Sequence, residues 1–379
     1  MTTIRSIDER NALGIRGIDH LLFYVGNASQ AAHYYLAAFG FKAIAYGGLE
    51  TGLHDCTSWV LEQGTARIVV TSGLDPQEGI GKHAALHGDS VKDIAFRVDN
   101  AEWAFETAIR RGAGKVQEPA VREDEHGNVT VATVSTFGDT VHSFVERKRY
   151  DGPFLPGYVS KSPTREIPKL GITGFDHFAV SVNPGTLNDW IDFYIRVFGF
   201  RECHEENVFT SKSGMRSKVV RGDSGDCVFP MMEPVSGAIQ SQIQDYLNFN
   251  GGPGVQHAAL QTEDILTAVR GLGQRGVEFR YTPKAYYEAL PARVGHLEES
   301  VEDLKELGVM VDRDDDGQLF QIFTKAVTGR PTFFIELIQR KGARGFGGGN
   351  IRALFEAVEL EQTARAAAPQ AVETVGAGK

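Results

Sequence analysis

Two stretches of this chain are copies of one another, and that duplication limits what it can fold into. Residues 17–41, GIDHLLFYVGNASQAAHYYLAAFGF, line up with residues 174–200, GFDHFAVSVNPGTLNDWIDFYIRVFGF. Each reads as a strand, a short turn, an amphipathic helix and a Phe-Gly-Phe stop, with Gly40 or Gly199 just past the helix end. In the second copy Leu187, Trp190, Ile191, Tyr194 and Phe198 recur at helical spacing, which makes them core residues first. The middles repeat too. VKDIAFRVDNAEWAFETAIRRGA (91–113) pairs with VQHAALQTEDILTAVRGLGQRGV (255–277), a strand and then a helix in both. Self-similarity over so long a period implies repeated supersecondary units stacked into two related halves.

Between the halves, YDGPFLPGYVSKSPTREIP is rich in Pro, Gly and polar residues and reads as a linker. The expected organisation is an N-terminal domain over 1–149, a linker over 150–170 and a C-terminal domain over 171–365. A flexible tail follows over 366–379, where no periodicity remains. A chain of 379 residues, 42% hydrophobic, is long enough for two or more full cores. The net charge of −10 argues against a nucleic-acid partner, which phosphate would draw to a basic face. No apolar run is long enough to cross a bilayer, and no secretory signal opens the chain. Cys56, Cys203 and Cys227 are odd in number and widely spaced, fitting neither a disulfide framework nor a thiolate zinc site. A soluble, cytoplasmic protein is expected.

The halves differ where chemistry could sit. Both carry Asp-His on the first strand, Asp19-His20 and Asp176-His177. On the middle strand His257 stands opposite Asp93, and on the last strand VHSFVERKR (141–149) set against FFIELIQRK (333–341) with a one-residue offset, Val141 to Phe334, places Ser143 against Glu336. Only the C-terminal half therefore holds two histidines and a carboxylate, His177, His257 and Glu336, separated by 80 and 79 residues. Alternation places His177 on one face with Phe175, Ala179 and Ser181, and Glu336 on one face with Phe334 and Ile338. A carboxylate among such neighbours is expensive unless paired or bound to a metal. Two imidazoles and one carboxylate suit a redox-capable divalent ion such as Fe(II), with positions left for substrate and O2. His20, without partners of this kind, is expected to be a structural leftover.

GFDHFAVSV, GPGVQHAAL, DRDDDGQLFQIFTKAVTGRPTFFIELIQRKG and GFGGGNIRALFEAVELEQ together resemble the 4-hydroxyphenylpyruvate dioxygenase and hydroxymandelate synthase family of the vicinal oxygen chelate superfamily. VGNASQAAHYY, HGDSVKDIAFRV and YDGPFLPGY extend the resemblance, more weakly, through the N-terminal half. It implies an α+β fold of two domains, in which repeated βαβββ modules form curved open barrels covered by helices. The N-terminal copy would be degenerate, serving packing and assembly, while the C-terminal copy would be catalytic and carry a closing helix. It also implies Fe(II), a 2-oxo acid substrate that chelates the metal through its own carboxylate and keto oxygens, O2, and a homodimer or homotetramer. The reaction would be oxidative decarboxylation of 4-hydroxyphenylpyruvate with ring hydroxylation and side-chain migration to homogentisate. Metal-free small-molecule binders share this fold, and the intact triad argues against that reading.

Further positions carry over from the family one at a time. Ser217, Gln242 and Gln321 match polar positions of the catalytic pocket, Phe323 an aromatic that stacks on the substrate ring, and Phe346 and Asn350 the segment that closes the pocket. By residue type alone, Ser217 and Gln242 would serve equally as turn or surface positions, and Phe323 as core. Pro230 follows the homogentisate-forming pattern. Met232 and Ile351 depart from it: they replace an asparagine and a ring-stacking phenylalanine, and resemble the mandelate-forming enzymes instead. Losing an aromatic wall and an amide removes a stacking contact and an orienting hydrogen bond. Benzylic hydroxylation to 4-hydroxymandelate is thus the alternative outcome on the same substrate.

Overall fold

The computed structural model describes residues 11–162, 170–210, 212–225 and 227–353. The expected tail, and the part of the closing helix beyond residue 353, lie outside the described residues. The first half contains β1 (Ile15–Tyr24), β2 (Lys42–Gly47), β3 (Cys56–Gln63), β4 (Ala66–Gly73), β5 (Ser90–Val98), β6 (Gly114–Asp124), β7 (Gly127–Ser135) and β8 (Val141–Tyr150). A two-residue strand, β9 (Val159–Ser160), follows. The second half contains β10 (Ile172–Ser181), β11 (Arg201–Phe209), β12 (Gly214–Arg221), β13 (Val228–Val235), β14 (Gly254–Thr262), β15 (Met310–Arg313), β16 (Gln318–Phe323) and β17 (Phe334–Lys341).

Among the described residues these strands form two sheets of one design. The first runs β6-β7-β8-β5-β1-β4-β3-β2-β9 and the second, read from its far edge, β15-β16-β17-β14-β10-β13-β12-β11. With a helix after β1, β5, β10 and β14, each sheet is a pair of βαβββ modules. The strand-to-helix turns repeat a local device. Asn27, Asn100 and Asp264 cap the helices Ala28–Ala37, Ala101–Arg110 and Ile265–Gln274 by accepting a backbone N–H three residues on. At the end of Leu187–Phe198, Gly199 takes φ +72°, the left-handed conformation that the Phe-Gly-Phe stop predicts.

The helix-covered faces of both sheets share one hydrophobic core. Phe96 of the first half packs against Phe198, Phe200 and Phe229 of the second, and Phe23 meets Phe333 edge-on at 4.9 Å. Arg330 ties the halves from outside, donating to the Ala85 and Leu86 carbonyls that end one helix and the Phe249 carbonyl that ends another. The opposite faces diverge. In the first half Phe154, Leu155 and Tyr158, from the segment after β8, fill the concavity over Ala45, Val60 and Val69. In the second half the concavity stays open and holds the candidate site.

His142 marks the seam. It is fully buried, its Nδ1 lies 2.7 Å from the Ile94 carbonyl and its Nε2 2.7 Å from the Tyr194 hydroxyl of the other half. A carbonyl can only accept, so Nδ1 carries the proton and Nε2 accepts from Tyr194. Burial pushes the His142 pKa down to about 3, against a partly opposing pull from the Ile94 carbonyl. An unfolded histidine takes up a proton near pH 6.5, so this group's stabilisation is complete above that pH and declines towards pH 3. The decline is up to about 1.4 kcal/mol per pH unit. His142→Phe should lose about 2–4 kcal/mol at pH 8 by orphaning two buried groups. It should also flatten the loss of stability between pH 6.5 and 5, as read by urea unfolding at each pH.

Candidate metal centre

Backbone irregularities in the central strands aim the candidate ligands. Along β10 and β14 the pairing steps from Phe175–Leu260 to His177–Ala259, leaving Asp176 as an extra residue. A second step, from Ala179–His257 to Val180–Val255, leaves Gln256 extra. Such bulges turn two successive side chains out of strict alternation. Phe175 therefore does not share a face with His177, as alternation predicts; it packs into the main core beside Phe178, ring centroids 5.0 Å apart. Asp176, one residue on, is free to reach the His177 ring.

The three candidate ligands converge. His177, His257 and Glu336 each offer a donor atom, all within 4.8 Å of one another, and all three are buried. Glu336 Oε2 lies 3.1 Å from His177 Nε2 and 3.3 Å from His257 Nε2. Ligand bonds of about 2.1 Å set at right angles hold donor atoms about 3 Å apart, so the spacing fits one face of a metal ion. The charge balance fits as well. Burial opposes ionisation of Glu336, yet the two histidines outweigh it and hold its pKa down at about 2. Burial likewise opposes charge on His177, but Glu336 and Asp176 raise its pKa to about 9. Burial keeps His257 below its usual value despite Glu336. The set is a carboxylate with cationic company on one side and a neutral imidazole on the other, and a divalent cation satisfies all three.

Neighbouring groups fix two of the candidate ligands, His177 and Glu336. His177 Nδ1 lies 2.8 Å from Asp176 Oδ1, which leaves Nε2 as the outward donor atom. Arg340 holds Asp176 with two hydrogen bonds of 2.7 and 2.8 Å, donates to the Ala343 and Gly345 carbonyls, and lies over the Phe346 ring. That clamp draws the Asp176 carboxyl well below the usual range against the effect of burial. Gln321 Nε2 donates to Glu336 Oε1 at 2.8 Å, and Asn350 Nδ2 donates to Gln321 Oε1 at 2.9 Å.

A cavity opens from the candidate ligands. Ser217, Pro230, Met232, Gln242, Gln321, Phe323, Phe346 and Ile351 all line it, with His177, His257 and Glu336 at its base. Asn350 is brought to the site but not to the cavity wall; it is fully buried behind Gln321. Ser217 Oγ donates to the Glu206 carbonyl at 2.8 Å. Met232 packs with Ala179, Val208, Met215 and Ile243, and Ile351 completes that apolar wall. Sequence reasoning missed His204, Met215, Val219 and Gln256, which also line the cavity. Alternation could have suggested Met215 and Val219, two residues either side of Ser217. Nothing local marks His204, and Gln256 reaches the cavity only through the bulge.

The N-terminal half keeps part of this arrangement. His20 pairs opposite Ala95 and Asp93 opposite Leu22, the registers that His177 and His257 occupy in the second sheet. Asp19 lies 2.8 Å from His20 Nδ1, and Arg147 holds Asp19 with bonds of 2.8 and 2.7 Å. Asp93 instead accepts the Ser143 N–H, and Phe154 covers His20 edge-on. The two clamps make a paired prediction. Arg340→Met should lower divalent-cation affinity about 10–100-fold by freeing the carboxylate that orients His177. Arg147→Met should leave that affinity at the wild-type value while destabilising the fold by about 1–3 kcal/mol, since it leaves buried Asp19 with only the more distant Arg67 guanidinium, 3.7 Å away. Cation titration and urea unfolding of both variants read the two effects separately.

Comparisons with known proteins point to one family. Residues 10–154 match the family model described as "Hydroxyphenylpyruvate dioxygenase, HPPD, N-terminal". Residues 174–322 match that of the glyoxalase/bleomycin resistance protein/dioxygenase superfamily. A 4-hydroxyphenylpyruvate dioxygenase of Yarrowia lipolytica is 41% identical, with 96% of each chain covered. One from Dictyostelium discoideum is 40% identical over 93% of this chain and 99% of its own. Among solved structures, a triple mutant of 4-hydroxymandelate synthase from Streptomyces coelicolor superposes with a TM-score of 0.85. It is 36% identical, covering 92% of this chain and 99% of that one. Identity of about 40% along nearly the whole of both chains places this protein in the 4-hydroxyphenylpyruvate dioxygenase family.

Proposed function

We propose that the chain is an Fe(II)-dependent dioxygenase that converts 4-hydroxyphenylpyruvate and O2 to homogentisate and CO2. The observation that carries this reading is the buried His177–His257–Glu336 face at the base of a largely apolar cavity. Iron bound there would supply the capacity to activate O2 and a Lewis acid for the substrate's carboxylate and keto oxygens. The protein's own contribution is positional. Phe323 and Phe346 stand on either side of the ligands, ring centroids 5.8 Å from His257 and 5.5 Å from His177, and offer flat walls to an aromatic ring. Gln242 and Ser217 are polar side chains of the cavity wall, suited to a phenolic hydroxyl. Gln321 is already engaged by Glu336 and Asn350, so its role is to hold the ligand. The C-terminal half, from residue 171, performs the chemistry; the N-terminal half, through residue 149, supplies half of the shared core.

One observation favours a second reading. Met232 and Ile351 make part of the cavity wall flexible and aliphatic where an amide and an aromatic ring would grip the substrate. A ring held less firmly there can present its benzylic carbon, giving 4-hydroxymandelate and CO2 instead. The two products are isomers, so chromatographic separation of the product from 4-hydroxyphenylpyruvate and O2 is the deciding measurement. Homogentisate is expected from the wild-type protein. 4-Hydroxymandelate as the main product would overturn the first reading in favour of the second. Glu336→Ala should abolish O2 uptake; turnover unaffected by that change would overturn both.

A further inference from the structure

The duplication provides an internal comparison. A feature present in both halves has a part in the fold whatever else it does, whereas one confined to the second half is a candidate for serving the cation site alone. The Asp-His-Arg clamp and the paired bulges occur in both. The support of Glu336 does not. Gln321 pairs with Ile338, two residues past Glu336; the matching residue of the first half, paired with Val145 two past Ser143, is Val131. The first half therefore has no amide at that point.

The second half also has an insertion. In the first, the helix Ala101–Arg110 leads almost directly into β6 at Gly114. In the second, residues 275–309 separate the helix Ile265–Gln274 from β15 and form three short helices. The first of these, Lys284–Glu288, carries Tyr286. Its hydroxyl accepts the Val311 N–H at 2.8 Å and lies 2.5 Å from Asn350 Oδ1, with the Val311 carbonyl 2.7 Å away as the other acceptor for its one proton. Arg293, from the second short helix, lies over the Tyr286 ring and 3.4 Å from Asp312 Oδ1. Asp312 Oδ2 in turn accepts the Gly349 N–H at 2.9 Å. The run of glycines permits this closeness: a side chain at Gly347 would strike Gln321, and one at Gly349 would strike Arg293.

We propose that Tyr286 is a positioning residue for Glu336, acting through Asn350 and Gln321. Glu336 Oε2 faces both histidines, while Oε1 is taken by Gln321, so the relay decides which carboxylate oxygen is offered to the cation. Tyr286 orients the Asn350 amide, Asn350 orients Gln321, and Gln321 stops the carboxylate from turning. Because Asn350 belongs to the helical turn that closes the cavity, the same bonds tie that turn to a ligand. The insertion thus braces the cation site from behind, without lining its cavity. This rests on the metal role of the triad.

The test uses the full-length protein loaded with Co(II), whose visible absorption reports ligand geometry, and compares wild type with Tyr286→Phe and Tyr287→Phe. Tyr287 is the buried neighbour on the same short helix and is no part of the relay. Removing one hydrogen bond from the relay should speed Co(II) transfer to EDTA about 3- to 10-fold in Tyr286→Phe and shift the absorption band. Tyr287→Phe should match wild type in both. A wild-type release rate and spectrum in Tyr286→Phe would overturn the relay alone, as would equal changes in the two variants, which would mean general loosening of the insertion. Failure of the wild-type protein to retain Co(II) would overturn the metal reading together with the relay.

Discussion

A carboxylate buried to 1% exposure between two buried imidazoles is the arrangement on which the rest of this protein depends. Taking Glu336 out of water without compensation would cost several kcal/mol. His177 and His257 supply charge and hydrogen bonds to one of its oxygens, and Gln321 occupies the other. Each of those partners needs a partner of its own: Asp176 for His177, Arg340 for Asp176, Asn350 for Gln321. Such networks are stabilising only when every member is satisfied. That requirement explains why residues from β10, β14, β16, β17 and the closing segment all converge on one cluster.

The duplicated architecture separates the demands of folding from those of chemistry. Helix-covered faces of both sheets merge into one core, where Phe96, Phe198, Phe229 and their neighbours tolerate no polar group that is not fully paired. His142 meets that condition with one bond in each half. The concave faces were free to diverge. In the first half Phe154 and Tyr158 plug the space, and Asp93 turns to the Ser143 backbone. In the second half the space stays open above the ligands, and its wall is built from Met215, Met232 and Ile351 on one side and Phe323 on another. The Asp19–Arg147 clamp persists in the first half beside Asp93 and Ser143 in place of His257 and Glu336, so there the clamp serves the fold, while in the second half Arg340 and Asp176 also orient His177.

Much of the site was legible in residue pattern because ligands drawn from equivalent strands of repeats stand at regular intervals. His177, His257 and Glu336 emerged from comparing the two halves. Alternation failed at Phe175, because the bulge at Asp176 shifts the phase of β10 by one residue. Gln256 was hidden for the same reason. His204 was hidden because its place on the edge strand β11 becomes part of the cavity only when the sheet curls. Asn350 reads as a pocket residue, yet its amide stands one layer back, turned towards Gln321 and Tyr286.

The amino-acid sequence by itself determined the two-fold repeat, the strand–helix alternation, the helix stops and the placing of His177, His257 and Glu336 at equivalent strand positions. All of these follow from periodicity and residue type, which act over a few residues or over one repeat length. Only the tertiary structure decided how the ligands are held. Tyr286 and Asn350 are 64 residues apart, and Arg340 and Asp176 are 164 apart. No local pattern joins such pairs; they meet because two strands register, a sheet curves, and an inserted segment folds back over its open edge.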